Sequence, residues 1–189
     1  MKKILGIAVA ALMVAATMVG CASTKNNGAT LGGADGARAA GRPGWAYYGC
    51  TFISKEAGGF IDGYVATATG YFAEGEAARA DERSSQIAAR LDARANLAGF
   101  ISSELASTAE DNGISTNETR VEVIDQILNG SRIIDSVSQD GKYYILMFIS
   151  DEDLEKSSNN NPTLKSLIQK ITAEHLADLA EATSTSNSN

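Results

Sequence analysis

From Ile4 to Gly20 the chain is a continuous run of apolar and small residues behind Met1-Lys2-Lys3, whereas residues 22–42 are Gly- and Ala-rich with no apolar period. The first pattern has the layout of a secretory signal, and the second that of a flexible tether. Beyond Pro43 the hydrophobic positions become periodic and stay so to Ala182, about 140 residues, an ordinary size for one domain. Thr183 to Asn189 form a polar tail that the composition predicts to be disordered.

Within the periodic region, Pro43 to Ile53 mixes aromatics with small residues and reads as a docked extended segment. Val65, Thr67, Thr69 and Tyr71 alternate with alanines, predicting a strand over 64–71 whose small face lets a helix approach. Ala77 to Ser107 lacks proline and carries Ile87, Leu91, Ala95, Ala98, Ile101 and Leu105 at steps of three and four, widened by Leu97 and Phe100. That spacing predicts a long amphipathic helix, with Arg79, Arg83, Arg90 and Arg94 interleaved with Asp81, Glu82 and Asp92 on its solvated faces. Gly99 inside it costs about 1 kcal/mol relative to alanine and predicts a close contact there.

Asp111-Asn112-Gly113 marks a turn, and Val121, Ile124, Ile127 and Leu128 then fit a short helix. Ile133–Gln139, Asp140-Gly141 and Lys142–Ile149 read as a hairpin with a type I′ turn, pairing Val137 with Tyr144, Asp135 with Leu146 and Ile133 with Phe148. Tyr143, Ile145, Met147 and Ile149 give the returning strand a second apolar face, so it should be central and covered on both sides. One face is expected under the long helix, and the other under the C-terminal helix or a second chain. Ser150 with Asp153 has the spacing of a helix N-cap, and Asn161-Pro162 opens a last helix striped by Leu164, Leu167, Ile168, Ile171 and Leu179. The expected fold is α+β: a small antiparallel sheet crossed by a long amphipathic helix, plus a C-terminal helix.

Charge and chemistry narrow the function. The formal net charge is −7, and −9 once Lys2 and Lys3 leave with the leader, a surface expected to repel phosphate backbones and anionic headgroups, which argues against nucleic acid as a partner. One histidine, His175, and two cysteines, Cys21 and Cys50, cannot build a multi-Cys/His zinc site or a disulfide framework. No G-x-S-x-G elbow accompanies His175, no P-loop or dinucleotide fingerprint is present, and nothing singles out two carboxylates for glycoside cleavage. The expectation is a chain that is not an enzyme, with no catalytic, cofactor-binding or metal-binding residues.

Met18-Val19-Gly20-Cys21 resembles the lipobox of bacterial lipoproteins, with Met18 where leucine is usual. The resemblance implies cleavage between Gly20 and Cys21 and a diacylglyceryl group on the Cys21 sulfur, so residues 1–20 would be a signal peptide and 21–42 a lipidated tether. Stable attachment takes more than one acyl chain, at about 0.8 kcal/mol per buried methylene. Ala22 in place of the aspartate of an inner-membrane retention signal implies the outer membrane. As the sole remaining thiol in an oxidising compartment, Cys50 is expected to be buried among Trp45, Tyr47, Tyr48 and Phe52 or to form an intermolecular disulfide.

Pro43-Gly44-Trp45, the Ala/Thr-rich stretch ending in Gly70, Ala88-Ala89-Arg90-Leu91-Asp92-Ala93-Arg94-Ala95-Asn96-Leu97-Ala98 and Tyr143-Tyr144-Ile145-Leu146 occur in a telling order. Over about 45–150 the chain resembles the bacterial outer-membrane lipoprotein family named for a twenty-kilodalton antigenic lipoprotein, whose relatives include flagellar assembly lipoprotein P. It departs from that pattern in the acid- and glycine-rich spacing from Phe72 to Glu76 and in the appended helix 163–182. The resemblance implies a small α+β unit with roles in envelope structure, flagellar assembly or host interaction, and it implies no catalytic residues. The expected function is that of a membrane-anchored, non-catalytic interaction or assembly module of the cell envelope, facing the periplasm. Its partners would be the membrane through Cys21, an envelope protein or the cell wall, and a second copy of itself. A periplasmic small-ligand carrier and a cell-wall hydrolase are the alternatives; a carrier would show an apolar pocket of roughly 300–1,000 Å³ between helix and sheet.

Overall fold

The computed structural model describes residues 41–56, 60–61, 64–111, 129–158 and 160–186. A 3₁₀ turn at Gly44–Tyr47 leads into strands β1 (Cys50–Ile53), β2 (Phe60–Ile61), β3 (Tyr64–Val65) and β4 (Gly70–Ala77), then helix α1 (Glu82–Asp111). Strands β5 (Arg132–Gln139) and β6 (Lys142–Ser150) follow, then helices α2 (Asp151–Ser157) and α3 (Pro162–Ser186). Strands β1, β4, β6 and β5 form, in that order, an antiparallel sheet, while β2 and β3 pair separately. The fold is α+β.

The β5–β6 hairpin follows its turn chemistry. Asp140 and Gly141 hold φ values of 50° and 74°, which a type I′ turn requires, and Val137 pairs with Tyr144 and Asp135 with Leu146. A bulge between Ile133 and Asp135 then shifts the ladder by one residue, so Ile133 faces Met147 and Arg132 takes the place opposite Phe148. As expected, β6 is central and buried on both faces: Ile145, Met147 and Ile149 meet the helices, and Tyr144, Leu146 and Phe148 the opposite layer. The C-terminal helix does not supply that opposite layer: Trp45, Ala46, Ile61 and Ala66 do, packed on Ile53 and Phe72 of the sheet, while α3 lies beside α1 on the first face. Trp45 is pinned there by donating its indole N–H to Asp135 Oδ2 at 2.9 Å.

Three sequence expectations shift in register. The strand placed at 64–71 divides, because Thr69 leaves the ladder: its hydroxyl accepts from the Lys55 amide and bonds Glu56, and its carbonyl accepts from the Asp151 amide. The long strand is instead Gly70–Ala77, which covers the acid-rich spacing. The long helix accordingly starts at Glu82, where the Asp81 carboxylate caps the Ser84 amide at 2.8 Å, and continues to Asp111. Its buried stripe is Ala89, Ala93, Leu97, Phe100, Ile101, Leu105 and Ala109, so the N-terminal half is rotated from the predicted face. Ile87 and Leu91 are 54% and 60% exposed, and Ala95 is exposed as well.

Gly99 has no atom within 4 Å of where a Cβ would stand, so the expected contact there is absent. The close approach occurs at Gly75 of β4, where a Cβ would run into the backbone of Ala89 and Ala93. Both later caps form as read: Ser150 Oγ accepts from the Asp153 amide, and Asn161 Oδ1 accepts from the Leu164 amide. Helix α3 runs on to Ser186, so residues 183–186 of the tail expected to be disordered are helical. The short helix over Val121–Leu128 and the turn at Asn112-Gly113 lie outside the described residues.

Candidate functional site

Gly20 and Cys21, the residues of the expected cleavage and lipidation, lie outside the described residues, as does most of the expected tether. Where the chain enters the described domain, its path is well defined. Gly41 lies against the side chain of Asp140 at the hairpin tip, and its φ of 71° suits glycine. Arg42 reaches Glu74 at 2.9 Å and Glu76 at 3.6 Å, and Lys142 reaches Glu76 at 3.1 Å. The entry point, the hairpin tip, the end of β4 and the start of α1 therefore share one end of the sheet.

Glu74 shows what this arrangement costs. Burial pushes its carboxyl up from 4.5 to about 7, with Glu76 and Asp92 adding repulsion and Arg42 opposing the rise. A carboxyl that titrates higher folded than unfolded holds its extra proton between those two values. Stability is therefore greatest below pH 4.5 and falls as pH rises toward 7, by on the order of 2–3 kcal/mol from this group. Urea midpoints at pH 5 and pH 8 check this: wild type should lose ground to Glu74→Gln at the higher pH, with little difference at the lower. A difference between the two proteins that is independent of pH would contradict the assignment.

His175 sits between α3, α1 and the β1–β4 edge. Its ring stacks on Phe52 with centroids 4.7 Å apart, and Nε2 lies 3.6 Å from Glu104 Oε2. Nε2 is buried with no hydrogen-bond partner among the described residues, and the Tyr71 and Thr172 hydroxyls are buried nearby, facing each other. Burial lowers the imidazole pKa, with Glu104, Asp178 and Glu174 pulling the other way, and burial also raises the Tyr71 phenol. The imidazole thus packs as a neutral ring in an aromatic wall, and no serine or cysteine hydrogen-bonds it. Cys50 is half-buried, its thiol directed at the Asn96 carbonyl at 3.6 Å.

A cleft of about 180 Å³ opens between α2 and α3, lined by Asp151, Glu155, Ile168, Gln169, Thr172 and Leu176. Burial raises the Asp151 carboxyl pKa. Glu155 is held by Lys165 at 3.2 Å and Gln169 at 2.8 Å, and the exposed lining is mostly apolar, from Ile168, Ala173 and Leu176. Among the described residues no group of three or more His, Cys, Asp or Glu side chains could hold a metal ion. No described helix is long and apolar enough to cross a membrane.

The remaining feature is the outer surface of α1. Advancing by about 100° per residue, Arg83, Ile87, Arg90, Leu91 and Arg94 fall within one sector of about 100°, and no acid shares it. Asp92 lies on the flank toward β4, where it accepts the Glu76 amide at 3.0 Å. Sequence reading missed this sector because it assigned Ile87 and Leu91 to the core; the clue was the alanine pair Ala89 and Ala93, which lets the helix sit close on its other side. Comparison with protein-family models, with curated proteins and with solved structures gives no match.

Proposed function

We propose that the chain is a bacterial outer-membrane lipoprotein, held by lipidated Cys21 and acting through contacts rather than chemistry as an interaction or assembly module facing the periplasm. The observation that carries the contact reading is the exposed pair Ile87 and Leu91 on a helix whose opposite side already fills the core. Ile87 and Leu91 stand one helical turn apart on the same face, and adjoining exposed apolar surface is the kind of feature that marks a docking site. The anchor rests on the apolar leader and the Met18–Cys21 box, and the family resemblance over about 45–150 supports an envelope setting. The carrier alternative is disfavoured by the contact of Gly75 with the α1 backbone, which leaves no room for a pocket at that point between helix and sheet.

The experiment is metabolic labelling. Labelled palmitate should enter the wild type and not Cys21→Ala, and the variant should leave the membrane fraction. Labelling that survives the substitution would refute the anchor.

A further inference from the structure

We infer that the first turns of α1 are a docking face for an anionic phospholipid surface, which holds the domain against the membrane that anchors it. The inference rests on the lipoprotein reading and deepens it by naming what the exposed face meets. Three observations converge on it. Ile87 and Leu91 are the most exposed of the large apolar residues among those described. Arg83 and Arg90, both exposed, share their sector and have no ion-pair partner among the described residues, whereas Arg42, Lys142, Lys156 and Lys165 do; Arg94 lies in the sector too but is half-buried, with its Nε enclosed. The chain enters the described domain at Gly41, beside Asp140, at the end of the sheet where α1 begins.

Apolar side chains flanked by arginines suit a bilayer interface, because the former enter the boundary of the acyl region while the guanidiniums meet phosphate. The net charge of −9 that remains once Lys2 and Lys3 leave with the leader does not prevent this. Charges more than about 8 Å apart are largely screened at physiological ionic strength, so the local sector governs contact. Of the acids nearest in sequence, Asp81 is committed to the helix cap and Asp92 to the Glu76 amide, while Glu82, one residue before Arg83, lies outside the sector. Lipidation at Cys21 would fix the chain to the membrane about 20 residues before the described domain, so docking becomes intramolecular and a weak face suffices.

The test uses the full lipidated chain in lipid nanodiscs and reads the face separately from the anchor. Leu91→Trp introduces an indole at an exposed site, against a constant background from Trp45, which is 5% exposed. Brominated phospholipid should quench the introduced indole in discs containing phosphatidylglycerol, and not in discs of phosphatidylcholine alone. Adding Arg83→Glu and Arg90→Glu should lower the docked population by roughly tenfold or more, with Arg83→Gln and Arg90→Gln as a milder pair should the reversal unfold the domain. Absence of quenching in anionic discs, equal quenching in neutral discs, or quenching that survives loss of the arginines would each overturn the inference. So would burial of the introduced indole in a dimer or against an acidic protein. Co-elution with discs reports the anchor independently, and an unacylated chain added to anionic vesicles still reads the face if the anchor fails.

Discussion

Gly75→Val should destabilise the domain by more than about 3 kcal/mol, above the usual range for overpacking and a large part of the total for a domain of this size. The reason is geometric. A Cβ at Gly75 would meet the Ala93 amide, the Ala89 carbonyl and the Ala93 Cα, all backbone atoms that cannot rotate aside. Helix α1 would have to lift from β4, taking with it the burial of Ala89, Ala93 and Leu97. Gly99→Ala should have the opposite sign, because that glycine is exposed in a helix interior with nothing near its missing Cβ, and alanine is favoured there by about 1 kcal/mol. Thermal or urea unfolding of the two variants checks both; a tolerated valine at position 75 would show that helix and sheet are not in backbone contact.

The second large effect separates two leucines of one helix. Leu97 is fully buried, and Leu97→Ala should cost about 2–5 kcal/mol by lost transfer energy and the cavity left behind. Leu91, only six residues earlier, is 60% exposed, and Leu91→Ala should stay within about 0.5 kcal/mol. Equal losses would mean that the apolar stripe read from periodicity, and not the rotated one, faces the sheet.

These two leucines also show how far the sequence was legible. The hairpin was readable because Asp140-Gly141 encodes its turn locally, and the caps at Ser150 and Asn161 are likewise local chemistry. The rotation of α1 was not, since its N-terminal half packs through Ala89 and Ala93 against Gly75, and such small residues carry almost no hydrophobic signal. Periodicity therefore pointed to the larger Ile87 and Leu91. The strand at Gly70–Ala77 was obscured for a related reason: Glu74 and Glu76 are acids on a sheet face, made tolerable by Arg42 and Lys142, which come from distant parts of the chain. The rise in the Glu74 pKa comes from burial, which Arg42 opposes, and the second apolar layer under Trp45 gathers residues far apart in the sequence.

The central claim is that this domain works as a lipid-anchored module, and the mass of the mature N-terminus tests it most directly. Protein purified from its native membrane should yield an N-terminal peptide that begins at Cys21 and carries the diacylglyceryl and acyl groups. An unmodified N-terminal peptide, whether it starts at Met1 or at a residue other than Cys21, would contradict the account.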